Sequence, residues 1–322
     1  MIPSIRICTA ILLAFWTTGA AAQAFPTKPI RIVVPFSAGG PTDLTVRAMG
    51  PRLTELLGKA IVVDNRAGAT GIIGAEIVAK APPDGYTLLA ATASVVAINM
   101  VTYSKLPFST LRDFQPLTPV MTTTTILVVH PSVPAKRLKE LVALAKARPG
   151  QVTMGSAGNG GTLHLALEML IKQAAVNMTH VPYKGAAPAV VDVVAGQLTG
   201  MFVDLPVVSP YIKAGRVRAL AVASPKRSAY FPEVPTTKEA GFPNVELQNY
   251  YCLLLPARTP PDIVAKLHDA VVKTVNTPAV RQKLIGFGAD PLTMAPDEFT
   301  RFLRADIEMW GRVVKAAGVK VD

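Results

Sequence analysis

Two stretches decide how this chain folds: Ile30-Arg31-Ile32-Val33-Val34-Pro35-Phe36-Ser37-Ala38-Gly39-Gly40 and Gln151-Val152-Thr153-Met154-Gly155-Ser156-Ala157-Gly158-Asn159-Gly160-Gly161. Each runs from an apolar strand pattern through Ser-Ala-Gly into a helical stretch, Leu44–Leu57 in the first and Leu163 to about Ala174 in the second. Each then returns in a second apolar run, Ile61–Val63 and Met178–Val181. A basic residue beside small residues closes both units: Arg66, 29 positions after Ser37, and Lys184, 28 positions after Ser156. A duplicated strand–glycine loop–helix–strand unit implies two similar lobes, each aiming a helix N-terminus at the space between them. That is the layout of a clamp for a small anion.

Around the first unit, Ala75–Lys80 reads as a helix, Pro82-Pro83-Asp84-Gly85 as a turn and Tyr86–Ala91 as a strand. Alternating strand and helix signals predict a parallel α/β sheet. The β-branched run Thr122–Val129 reads as a crossing into the second lobe, followed by a helix over Lys136–Ala147. After the second unit come a helix over Ala187–Ala195 and strands at Thr199–Val203 and Ala219–Ala223. Phe231–Val245 reads as a surface loop with one short helix, and Glu246–Leu255 as the strand returning to the first lobe. Three helices close the chain, Pro261–Asn276, Pro278–Gly286 and Pro296 to about Ala317, each opening on a proline as the first helical position favours. The organisation expected is a leader at 1–24, a first domain of 25–124 plus 248–322, and a second of 125–247. Two crossing segments make a hinge.

Composition narrows the function classes. At 50% hydrophobic and 17% charged residues in a chain of 322, this is a globular protein. Arg6, the apolar stretch Ile7–Trp16 and the small residues Gly19–Ala24 read as a cleavable secretory leader, cut after Ala22 or Ala24. Cys8 falls in that leader, so the exported chain keeps only Cys252, which excludes an internal disulfide and a cysteine-ligated zinc site. The expected compartment is the periplasm, and the expected form is a monomer. The net charge of +12 is dispersed, without an aromatic-interleaved basic stripe, so nucleic acid is not an expected partner.

The candidate binding residues follow from the two loops. Ser37, Ala38, Gly39 and Gly40 bring backbone N–H groups to the start of a helix, and Thr42 adds a hydroxyl. Ser156, Asn159, Gly160 and Thr162 offer the same equipment from the second lobe. Asp43 is read either as the cap of the Leu44 helix or as a partner for a ligand's amine or water. Asp204 either lines the cleft, favouring a ligand with an amine or hydroxyl, or serves a plain turn. Phe36 packs on the ligand or in the core; Tyr183 and Lys184 edge the cleft, Lys184 as a carboxylate partner or as a solvated lysine. Thr92 opens the loop Thr92–Asn99. His164 is read as a capping or cleft-edge residue, or as a base for Ser156. Enzyme motifs are sparse: Ser156 is not in a Gly-x-Ser-x-Gly elbow, and the four histidines (130, 164, 180, 268) have no metal-ligand spacing. No cofactor or metal is expected.

The run Pro29–Asp43 resembles the opening motif of Bug-type solute-binding proteins, the periplasmic receptors of tripartite tricarboxylate transporters. The resemblance continues through Val63–Gly71, Pro83–Leu88, Gly155–His164, Val181–Gly185, Glu233–Thr236 and Glu239–Pro243, in order and over nearly the whole exported chain. It implies an α/β, two-domain Venus flytrap fold with two interdomain crossing strands. It also implies capture of a small carboxylate (a dicarboxylate, a tricarboxylate, an acidic amino acid or an aromatic acid) without chemistry, and delivery to an integral membrane permease. Two departures stand out. Asn65-Arg66-Ala67-Gly68 lacks the proline the family more often has before the glycine. Thr92–Asn99 is more apolar than the family's serine- and histidine-bearing loop, which leaves the ligand open. Two other classes compete: a secreted hydrolase using Ser156 and His164, and a sensor that presents its bound ligand to a membrane kinase.

Overall fold

A computed structural model describes residues 25–317. The leader expected at 1–24, with Cys8, lies outside the described residues. Strand β1 (Ile30–Val34) passes through the first glycine loop into helix α1 (Pro41–Leu57) and back as β2 (Ile61–Asn65); a single turn (Ala69–Gly71) and α2 (Ile72–Ala79) lead to β3 (Thr87–Thr92). A π-helical turn (Ser94–Ile98), α3 (Asn99–Thr102) and α4 (Thr110–Asp113) precede β4 (Phe114–Thr123) and β5 (Thr125–Val129), which only Thr124 separates. Then come α5 (Leu138–Ala147), β6 (Thr153–Ser156), α6 (Thr162–Ala174), β7 (Thr179–Pro182), α7 (Ala186–Val194), β8 (Gly200–Asp204), α8 (Leu205–Lys213) and β9 (Arg218–Val222). The chain finishes with β10 (Asn249–Pro256), α9 (Pro261–Asn276), α10 (Pro278–Gly286), β11 (Ala289–Pro291) and α11 (Pro296–Ala317).

The strands form two sheets, β11-β4-β10-β3-β1-β2 and β7-β6-β8-β5-β9, one per lobe. The duplicated units are parallel, β1 between β2 and β3 and β6 between β7 and β8. The strands next to the crossings run the other way: β10 is antiparallel to β3 and β4, and β5 to β8 and β9. The all-parallel expectation is therefore corrected. A strand that enters from the opposite lobe arrives in the reverse direction, and an antiparallel neighbour is the pairing open to it.

Three local expectations change. Helix α1 starts at Pro41, not Leu44, because proline at the first position has no N–H to lose and a preset φ; Gly40 is its N-cap and Asp43 lies in its first turn. Residues 231–245 contain no helix; Phe231, Val234, Phe242 and Val245 are buried, so apolar anchors pin that loop to the second lobe. Helix α8 and strand β4 were not expected, both being proline-bearing. Pro206 sits in the first turn of α8, where proline is tolerated. In β4, Pro116 and Pro119 fall at the register shifts against β10, where a missing N–H costs no ladder bond.

The cores follow the apolar periodicity. Ile30, Ile32, Leu88, Leu253 and α1's Val46, Met49 and Leu53 fill one face of the first sheet, while Leu127, Val129, Phe202 and α6's Leu167 and Leu170 fill one face of the second. Helix α11 belongs to both lobes. Its buried stripe begins with Phe299 and Leu303 in the first-lobe core and ends with Trp310 and Val314 in the second-lobe core. It crosses the hinge as a strap beside the strands.

Candidate functional site

In each sheet the central parallel strand has its successors on opposite sides, β2 and β3 around β1, β7 and β8 around β6. Such a switch of direction leaves a crevice at the strands' C-terminal ends, where α/β proteins bind ligands. The two crevices face each other across a small cavity whose wall both lobes supply. Phe36, Pro41 and Thr42 follow β1; Thr92 ends β3 and Ser94 opens the turn after it; Ala157, Gly158, Gly161, Thr162 and Leu163 follow β6; Asp204 ends β8. Thr70, Ala186, Asn249 and Tyr251 complete the wall.

The first residues of α1, α6 and α7 all line this cavity. N–H groups in the first turn of a helix have no partner within it, and the helix dipole is positive there, so three N-termini converge on one small space. No lysine, arginine or histidine lines it among the described residues. Attraction for an anion here comes from backbone dipoles and hydroxyls. Thr92 Oγ1 is buried and has no hydrogen-bond partner among the described residues, which leaves a hydroxyl unspent in the wall.

The lobes touch through the same loops. Ser37 N–H donates to Lys184 O at 3.1 Å. Thr70 Oγ1 donates to Asn159 O at 2.6 Å, and Thr162 N–H donates to Ser94 Oγ at 3.0 Å. Glycine is required where the loops meet: Gly158 has φ +143°, and a Cβ there would lie 2.7 Å from Thr70 Oγ1.

Asp204 forms the floor. Its carboxylate accepts hydrogen bonds from Thr125 Oγ1 at 2.6 Å, Asn249 Nδ2 at 2.7 Å and Tyr251 Oη at 2.6 Å. Complete burial pushes its pKa up, against these three donors. Tyr251 and Asn249 belong to β10 of the first lobe and Thr125 to β5 of the second, so this carboxylate fastens the hinge as well as facing the cavity.

Behind the second glycine loop lies a polar cluster. Ser156 Oγ is 2.6 Å from His180 Nε2 and accepts from Gly158 N–H at 3.2 Å. His180 stacks on His164 with ring centroids 3.9 Å apart. His164 Nδ1 accepts from Gly160 N–H at 2.9 Å, and its Nε2 lies 3.2 Å from Glu168 Oε1. The two bonds fix His164 as the tautomer with its proton on Nε2. Burial and the facing His164 hold His180 down to about 4, with Glu168 opposing. The alternative in which His164 serves Ser156 as a base is not met: the serine's partner is His180, because β6 and β7 lie side by side in register and place Ser156 next to that strand, while His164 ties down the glycine loop through Gly160. Ser156 is 0% exposed and outside the cavity wall.

Of the residues singled out in the sequence, Phe36, Thr42, Thr92, Thr162 and Asp204 line the cavity. Gly40 caps α1 behind it, while Ala38 and Gly39 are exposed at the rim with Ser37 half-buried beside them. Asp43 accepts from Gly39 N–H and Arg47 Nε, both at 2.9 Å, so it braces the loop from inside the helix. Burial raises the Asp43 pKa, but those two partners and Asn65 bring it below the usual range. Asn159 is exposed and Gly160 is tied to His164. Tyr183 donates to Asp192, and the Lys184 side chain is exposed. Sequence reasoning passed over Thr70, Ser94, Asn249 and Tyr251. The polar opening of the apolar run at Asn249-Tyr250-Tyr251 was the available signal for the last two.

The sequence profile of the tripartite tricarboxylate transporter family receptor (TctC) matches residues 45–319. The chain belongs to this family. Protein BugT of Bordetella pertussis is 35% identical over 323 residues, covering 98% of each chain. The structure of Rpa4515 with adipate, from R. palustris, is 34% identical with a TM-score of 0.88, covering 92% of this chain and 99% of that one. MatC from Rhodopseudomonas palustris, with bound malate, is 30% identical with a TM-score of 0.87, covering 90% and 100%. The receptor is thus of the Bug type, with the two-domain fold of periplasmic binding proteins. Members of the TctC family are receptors for solutes, and carboxylates are bound by the two Rhodopseudomonas relatives.

Proposed function

We propose that this protein is an extracytoplasmic receptor that closes its two lobes on a small organic acid and hands it to an integral membrane permease. The first lobe comprises 25–124 plus 248–322 and the second 125–247; the leader at 1–24 directs the chain to the periplasm, where it works as a monomer. The observation that carries this reading is the convergence of three helix N-termini on one cavity that has no basic side chain in its wall among the described residues. Such a site holds a carboxylate through N–H groups and hydroxyls, and the interlobe bonds at Ser37, Thr70 and Thr162 form as it closes. A micromolar ligand needs about −8 kcal/mol, within reach of a few charge-assisted hydrogen bonds after ordering costs. The hydrolase alternative loses its support in the burial of Ser156 and its engagement with His180 and Gly158.

The test is a thermal-shift screen of the exported chain, freed of carried-over ligand, against dicarboxylates, tricarboxylates, acidic amino acids, aromatic acids and the neutral amides of each. A ligand that binds only the native state raises Tm by mass action. A rise with an acid and none with its amide supports the anion clamp. No rise with any acid contradicts it.

A further inference from the structure

The receptor reading leaves open which carboxylate fits, and the following inference rests on it. The cavity's only ionisable carboxyl among the described residues is Asp204, 2% exposed and held by donors from both lobes. Burial raises its pKa, and the three donors directed at its two oxygens oppose that rise by stabilising the anion. They occupy three of about four lone-pair sites, leaving one acceptor position on a carboxylate that lines the cavity.

Positive charge in the same space is diffuse. It resides in helix N-termini, and the basic groups near the loops are committed elsewhere: Arg47 to Asp43, while Lys184 is exposed. One ligand carboxylate is matched by the first-turn N–H groups. A second would be brought into a confined, poorly solvated space with Asp204 and with no cation to separate them, the arrangement that burial makes costly for like charges. A ligand whose far end carries an N–H or O–H instead supplies what the remaining lone pair of Asp204 lacks.

We infer that Asp204 is the specificity-determining residue of this receptor, selecting monocarboxylates that bear a terminal amine or hydroxyl over dicarboxylates of the same length. The acid at the floor thus works as a charge filter: it repels a second anion and rewards a donor.

Isothermal titration at neutral pH tests this with matched series of four and six carbons, each comprising the terminal hydroxy acid, the terminal amino acid and the diacid. The expected result is that the diacid binds at least about tenfold more weakly than the better donor-bearing acid of the same length, equal to ~1.4 kcal/mol. In Asp204→Asn, which keeps the shape and removes the charge, the gap narrows to about threefold or less through a gain for the diacid. A wild-type diacid that binds as tightly as its donor-bearing counterpart overturns the inference alone, and this comparison stands even if the variant does not fold. A folded Asp204→Asn that keeps the wild-type gap overturns the assignment to this residue. Silence from every acid in both series overturns this inference alone, since the receptor reading stands or falls on the wider thermal-shift screen.

Discussion

Ser94 Oγ lies 3.0 Å from the Thr162 amide nitrogen and 3.1 Å from the Thr162 hydroxyl. Ser94 lies two residues past the end of β3 and Thr162 is the first residue of α6, so one hydroxyl joins the ligand-facing ends of elements from the two lobes. The orphan N–H of a helix N-terminus is satisfied across the cleft only when the lobes are together.

Ser94→Ala leaves the Thr162 N–H unpaired in the closed form and hydrated in the open one. A buried unpaired donor costs about 1–3 kcal/mol, so affinity should fall roughly 5- to 150-fold with Tm of the free protein nearly unchanged. Titration calorimetry gives the first quantity and a thermal melt the second. Loss of Tm with unchanged affinity would assign Ser94 a purely structural role.

Gly161→Ala probes closure without backbone strain, because Gly161 caps α6 at φ −80°. An added Cβ would sit 3.0 Å from Ser94 Oγ and 3.1 Å from Thr70 Cγ2 of the other lobe. The expected outcome is a larger radius of gyration by small-angle scattering and at least a tenfold loss of affinity. The capping change alone costs a stability of about 1 kcal/mol.

Ser156→Ala removes the hydroxyl that His180 and Gly158 share beneath the second glycine loop. Affinity should weaken by several-fold without vanishing, since the cavity's donors are mainly backbone groups; each lost bond is worth about 1 kcal/mol. Abolished binding in a folded variant would mean that the hydroxyl touches the ligand itself.

Two buried groups titrate in opposite directions. His180, held down to about 4 by burial and by His164, contributes stability that is present above its unfolded value near 6.5 and lost as pH falls toward 4. Asp306, pushed up to about 6 by burial against the hydrogen bond from Tyr250 at 2.8 Å, contributes stability that is present below about 3.8 and lost as pH rises toward 6. Between pH 4 and 6 the two offset each other. Relative to wild type, Asp306→Asn should gain stability with rising pH over that window, by up to ~3 kcal/mol, and His180→Asn should lose it, by less because solvent screens the half-buried imidazole. Parallel melting curves for wild type and both variants across pH 4–7 would show the assignment to be mistaken.

The duplicated units were legible because their periodicity and glycine turns are local: β1 at Ile30–Val34 and helices α9 and α10 fall where the sequence places them. What escaped depends on neighbours distant in the chain. Strand β4 went unread in the sequence: Pro116 and Pro119 lack the N–H a ladder uses, and only the register against β10 shows shifts beside them that absorb the loss. Ser156 has His164 eight positions away on the following helix, but sheet register gives it His180. Asn249 and Tyr251 look like the start of a core strand, and only the return of that strand across the hinge carries them to Asp204. Thr70 and Ser94 matter because the other lobe's glycines meet them, which no single-chain pattern encodes.

The most direct test of the clamp is isothermal titration of the receptor with an acid that raises its Tm and, separately, with that acid's primary amide. The amide keeps the size of the carboxylate but loses its charge and turns one acceptor oxygen into a donor. Binding of the acid at one site per chain, with no measurable heat from the amide, is the result predicted by helix N-termini acting on a negative charge. An amide that binds as tightly as the acid would contradict it.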